Sequence, residues 1–108
     1  MARAPASADL FTAVAEPRRR EILEYLAPRE QPVSAIVAAL DLPQPSVSKH
    51  LRVLHDVGLV EARRHGRQML YRTNADVLKS IHDWTNYFER YWRRQLLRIK
   101  DRAEEMEG

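Results

Sequence analysis

Apolar residues return at helical spacing through most of the chain and give way to two short strand-like runs in only one place, between residues 59 and 73. Leu10, Phe11 and Val14 mark a first helix over Ser7 to Ala15, and Pro17 suits the first turn of a second, Pro17 to Ala27. In that second helix Ile22, Leu23 and Leu26 form the inward side, with Arg18, Arg19, Arg20, Glu21 and Glu24 around it. The breaker-rich stretch PREQP, Pro28 to Pro32, reads as a connector. Val33, Ile36, Val37 and Leu40 then keep the i, i+3, i+4, i+7 pattern of a short third helix that stops near Asp41.

Only a few residues separate Leu40 from the next stripe, Val47, His50, Leu51 and Leu54. A residue before proline is pushed away from the α region, so the spacing predicts Gln44 outside the fourth helix and Pro45 at its first position. This helix can run to Val57, where Gly58 supplies the left-handed residue that commonly ends helices. Two helices joined by so short a turn, residues 33–57, have the layout of a helix-turn-helix. Leu59 to Ala62 and Gln68 to Thr73 read as strands around His65-Gly66-Arg67, a β-hairpin over 59–73 with a basic tip. Ala75 to Glu107 contains neither Gly nor Pro and carries Val77, Leu78, Ile81, Trp84, Phe88, Tyr91, Trp92, Leu96 and Ile99, which predicts one long helix. The expected architecture is mainly α, about five helices plus a two-stranded hairpin, in a single domain over 1–108.

Hydrophobic residues at 44% and charged residues at 31% suit a globular chain rather than a disordered one. No apolar run approaches the roughly 18 residues of a membrane span, and MARAPASADLF has no hydrophobic export core, so the expected location is cytoplasmic. Cysteine is absent, which removes disulfides, thiolate metal sites and thiol redox sensing together. The net charge of +3 is concentrated: Lys49, Arg52, Arg63, Arg64, Arg67 and Arg72 face only Asp56 and Glu61 between residues 44 and 74. That local excess suits a polyanionic partner, although a solvated charged face has the same composition.

The stretch QPSVSKHL, Gln44 to Leu51, is odd for a surface helix and apt for one that enters a DNA groove. With Val47, Leu51 and Leu54 inward, Gln44, Ser46, Ser48, Lys49 and Arg52 lie near the N-terminal end and on the outer face. Helices in the major groove present their N-terminal residues to base edges, where Gln pairs with adenine, Ser with bases or phosphates, and Lys or Arg with guanine or backbone. His50 belongs to the inward stripe and reads as a partly buried structural histidine. Ser46 and His50 are four apart, but no orienting acid and no G-x-S-x-G motif accompany them, so no catalytic site and no enzyme are expected.

PVSAIVAALDLPQPSVSKHLRVLHDVGLVEARRHGRQMLYRTN, with VAEPRRREILEYL before it, resembles the winged helix-turn-helix of the ArsR family of repressors over roughly residues 10 to 80. The resemblance implies a homodimer that binds double-stranded DNA at an inverted repeat and represses transcription, often of its own gene. By matching position it places DNA contacts at Gln44, Ser46, Ser48 and Lys49 of a recognition helix, and at Arg63, Arg64, His65 and Arg67 of a wing touching phosphate or minor groove.

The chain departs from the metal-sensing members. VSAIVAAL lacks the cysteine pair of arsenic, cadmium or lead sensors, Asp76 is followed by Leu78 where an Asp-x-His start would be, and His82 is the last helix's one histidine. His82, Asp83 and Glu89 hold only fragments of an oxygen and nitrogen site, so no metal and no cofactor are expected and the effector stays open. Trp84, Phe88 and Trp92 share a stripe that Tyr87 and Tyr91 widen, broader than one small domain can cover. With Phe11 they form the expected dimer interface. A metal-responsive repressor with a non-standard His/carboxylate site and a protein-interaction module are the alternatives.

Overall fold

The computed structural model describes residues 6–107, with side-chain surroundings from residue 10 to residue 106. The reading of the export signal falls partly on residues 1–5, which lie outside the described residues. Two compact units divide the chain, Met1–Leu78 and Lys79–Gly108.

The first unit opens with α1, Ala6–Ala15, and α2, Pro17–Leu26. Glu16 sits between them as the N-cap of α2, its carboxylate accepting the Arg19 N–H at 2.9 Å, with Pro17 in the first turn, where a missing N–H costs nothing. Two arginines of α2 turn back to close α1. Arg19 donates to the carbonyls of Thr12 and Ala13, and Arg20 to those of Val14 and Ala15. These are the four carbonyls that the last turn of a helix leaves without an internal partner, and cations suit that end of the helix dipole.

Next come β1, Gln31–Pro32, α3, Val33–Leu40, and α4, Gln44–Asp56. Asp41 ends α3 in the left-handed region at φ 52°. Contrary to expectation, Gln44 lies inside α4; Pro43 is the N-cap, its carbonyl accepting the Val47 N–H at 3.1 Å. None of the first four N–H groups of a helix has an internal acceptor, so Pro45 in the first turn loses no hydrogen bond there. Gln44 joins that turn against the conformational bias on the residue before proline.

At its other end α4 closes through Gly58, φ 81°, whose N–H bonds the His55 carbonyl at 3.0 Å while the Leu59 N–H bonds that of Leu54 at 2.9 Å. Leu59 is thus absorbed into the helix cap, so β2 begins one residue later than expected, at Val60, and runs to His65. β3 spans Gln68–Thr73, leaving a two-residue turn in which Gly66 has φ 63°. The sheet is antiparallel and three-stranded, in the order β1-β3-β2. Its short edge strand, Gln31–Pro32, falls in the stretch that reads as a connector, because two residues with a proline carry no strand pattern. The core gathers Leu10 and Ala13 of α1, Ile22, Leu23 and Leu26 of α2, Ile36 of α3, Val47, Leu51 and Leu54 of α4, and Leu59 and Val60. Thr73 is buried with them and donates its hydroxyl to the Leu23 carbonyl at 2.7 Å.

Ala75–Tyr87 is α5 and Glu89–Glu107 is α6, so the expected single helix is interrupted at Phe88. There the Phe88 N–H bonds Thr85 and the Tyr91 N–H bonds Phe88, each three residues back rather than four. The Thr85 hydroxyl also donates to the His82 carbonyl at 3.0 Å, a back-bond that bends helices without any proline.

Candidate nucleic-acid interface

α4 buries Val47, Leu51 and Leu54 completely or nearly so, which fixes what the rest of the helix shows. Gln44, Ser48, Lys49 and Arg52 are exposed, while Ser46 is half-buried. At 100° per residue these do not make one face. Lys49 and Arg52 lie opposite the buried seam and Ser48 flanks it on one side, on the same side as His55, while Ser46 flanks it on the other with His50.

Strand register sorts the wing in the same way. Arg64 pairs with Met69 and Ala62 with Tyr71, so these four side chains stand on one face of the hairpin, and Arg63 with its partner Leu70 stands on the other. A groove of about 330 Å³ runs between the first face and α4, lined by Ser48, Arg52 and His55 from the helix and Ala62, Met69 and Tyr71 from the strands. Met69 is 39% exposed, a large apolar side chain beside cationic ones. His55, Met69 and Tyr71 are absent from the residues the sequence points to; only the strand register, once known, singles out the last two.

Arg63 is engaged elsewhere. Its Nε donates to Glu30 Oε2 at 2.7 Å and its Nη2 to the other carboxylate oxygen, a fork that ties β2 to the residue before β1. The hydrogen bonds from Arg63 hold the Glu30 carboxyl below the usual carboxylate range despite some desolvation, and Glu30 in turn raises Arg63. On this second face Arg29, Glu61 and Arg72 join them around a hollow of about 680 Å³. Arg64, His65 and Arg67 are exposed and form no ion pair among the described residues.

The second unit carries five of the eight aromatic residues. Trp84 meets Phe88 edge-on at 5.3 Å between centroids, Tyr87 meets Phe88 at 4.9 Å, and Arg90 lies over Tyr91 at 5.2 Å. Trp84, Tyr87, Phe88, Tyr91 and Trp92 are between 40% and 64% exposed, so the ring contacts leave much of each apolar surface open. Phe11, on α1, is half-buried. Among the described residues no three His, Cys, Asp or Glu side chains gather where they could hold a metal ion, and no helix is long and apolar enough to cross a membrane.

Comparison with known proteins matches residues 16–62 to the family described as bacterial regulatory protein, arsR family. The HTH-type transcriptional repressor SmtB of Mycobacterium tuberculosis is 42% identical over 67 residues, which are 62% of this chain and 50% of that one. The chain thus spans about half the length of that relative. Among solved structures, an ArsR-like transcriptional regulator from Rhodococcus superposes with a TM-score of 0.73 at 31% identity, over 93% of this chain and 92% of its own. The homodimeric winged helix-turn-helix DNA-binding domain of a possible ArsR-family regulator from Mycobacterium bovis gives 0.66 at 32% identity, over 82% and 91%.

Proposed function

Because the chain belongs to the arsR family of bacterial regulatory proteins, a family of regulators rather than enzymes, we propose that it is a transcriptional repressor that binds double-stranded DNA as a homodimer. The observation that carries this reading is the juxtaposition of α4 with the hairpin: Ser48 and Arg52 line one side of a groove whose other wall is the strand face that carries Arg64. In this reading α4 enters the major groove, with Gln44, Ser48, Lys49 and Arg52 toward base edges and phosphates, and Ser46 at its half-buried margin. The hairpin reaches the flanking backbone or minor groove with Arg64, His65 and Arg67. Arg63 joins them only by exchanging or sharing Glu30.

The exposed rings of α5 and α6, with Phe11 of α1, are assigned to the partner copy. Large aromatic groups dominate interface cores, and two-fold pairing is the commonest way to cover such a surface. The Mycobacterium bovis neighbour, described as homodimeric, supports a dimer. Two-fold symmetry then places the two α4 helices about 34 Å apart, in successive major grooves of an inverted repeat. The decisive experiment is selection of bound duplexes from a random pool at near-physiological salt, with and without divalent metals. A palindromic motif is the expected product. Folded, dimeric protein that enriches no sequence would reject the reading, and a motif recovered only with metal would restore a metal-responsive repressor.

A further inference from the structure

We propose that Arg19 is a positioning residue for the DNA-reading helix, acting through His50; this rests on the reading of α4 as that helix. Arg19 links three helices: it sits on α2, bonds the end of α1 and reaches the His50 imidazole of α4. Arg19, on α2, donates from Nε to the Ala13 carbonyl at 2.7 Å and from Nη2 to the Thr12 carbonyl at 3.4 Å, and its Nη1 lies 3.4 Å from His50 Nδ1. A guanidinium has only donors to offer, so this contact requires a bare Nδ1 and puts the proton of the neutral ring on Nε2. That nitrogen faces Glu16 Oε2 at 4.0 Å, and the same oxygen accepts the Arg19 N–H at 2.9 Å. Burial pushes the Glu16 carboxyl up, but the N–H groups of Arg19 and Arg18, with the Arg19 charge, hold it below its usual range.

The consequence for α4 follows from what its other contacts lack. Val47, Leu51 and Leu54 bury the helix through non-directional packing, which resists separation more than it fixes rotation about the axis. His50 adds a directional contact, on a side chain only 16% exposed, next to Lys49 and two residues from both Ser48 and Arg52. Side chains of one helix turn together, so the rotation that satisfies His50 also sets where these three point. Arg19 itself is no DNA contact in this arrangement, since two of its nitrogens already serve the end of α1.

The test compares the wild-type protein, Arg19→Lys, His50→Leu and the double variant, each checked for wild-type helix content. Two duplexes of equal length are used: the one recovered by selection from the random pool, and one of scrambled sequence. Each single substitution should lower the preference for the selected duplex about fivefold, within the range by which residues remote from a ligand alter coupling. Affinity for the scrambled duplex and its salt slope should not change, because Arg19→Lys conserves charge and no phosphate contact is lost. The double variant should lose no more than the worse single one, since both remove one link. Equal loss on both duplexes, unchanged preference, or additive losses would each overturn the proposal.

A DNA-free arm reads the nitrogen-15 spectrum of the His50 ring. Nδ1 should carry no proton in the wild type, and its signal should move on Arg19→Lys; a protonated Nδ1 or an unmoved signal overturns the link. If Arg19→Lys disrupts α1, His50→Leu, which leaves the α1 cap in place, carries the duplex comparison. If the wild-type protein prefers no duplex, the repressor reading is at fault, and the ring spectrum alone decides the Arg19–His50 link.

Discussion

Arg63 and Arg64 are adjacent in the chain and stand on opposite faces of the hairpin, one tied to Glu30, the other on the face whose Ala62, Met69 and Tyr71 line the groove beside α4. Their substitutions should therefore diverge. Arg64→Ala is expected to weaken binding to every duplex and to lower the salt slope by about one unit, as loss of a phosphate contact does. Arg63→Ala should leave the slope nearly unchanged. Titration of both variants over a range of salt concentrations checks the pair, and a larger slope change in Arg63→Ala would reverse the assignment.

Acid should loosen the root of the wing. The Glu30 carboxyl is depressed by Arg63, so its stabilising contribution is complete above the ordinary glutamate value of about 4.3 and is lost as pH falls through the lower folded value. Melting curves between neutral pH and pH about 3 should show a loss that Glu30→Gln reduces. Glu16 contributes to the same acid loss, so Glu30→Gln should not abolish it.

On α4 the expected signature is sequence-dependent. Ser48→Ala or Gln44→Ala should weaken the selected site by about 1–3 kcal/mol while sparing scrambled DNA, as loss of a base contact does. Competition binding with both duplexes distinguishes this from a uniform loss, which would remove base readout from these residues.

Trp92, 49% exposed on α6, is assigned to the partner copy. Trp92→Ala should weaken dimerisation by about 2 kcal/mol or more if it behaves as a buried aromatic anchor. Sedimentation equilibrium measures it, and an unchanged dimer would take Trp92 out of the interface.

Much of this arrangement is legible in residue spacing. The stripe Val47, Leu51, Leu54 and the glycine at 58 delimit α4 to within a residue, because burial periodicity and helix caps are local signals. His50 too is half-buried, as its place on that stripe implies. What spacing leaves out is set by pairing. The opposite fates of Arg63 and Arg64 depend on hairpin register, and β1 exists only because β3 is beside it. The Arg19 and Arg20 caps join residues five to seven apart across a helix break, whereas spacing places the three arginines only around the inward side of α2. The interruption at Phe88 has no Gly or Pro to announce it, only a threonine three residues before.

Gly58 gives the cap of α4 a further meaning. The helix ends, the cap takes Leu59, and β2 begins at Val60, so no slack chain separates the reading helix from the wing. The turn between them passes through Gly58 in the left-handed region, φ 81°, so the spacing of α4 and the hairpin depends on a conformation that glycine favours. A side chain at this position would meet nothing nearer than Val77 Cγ2 at 3.9 Å, so the strain of replacing Gly58 lies in the backbone alone. If α4 and the hairpin grip DNA as proposed, their fixed spacing makes groove width matter as well as bases, and DNA of the right sequence but the wrong groove width should fit poorly.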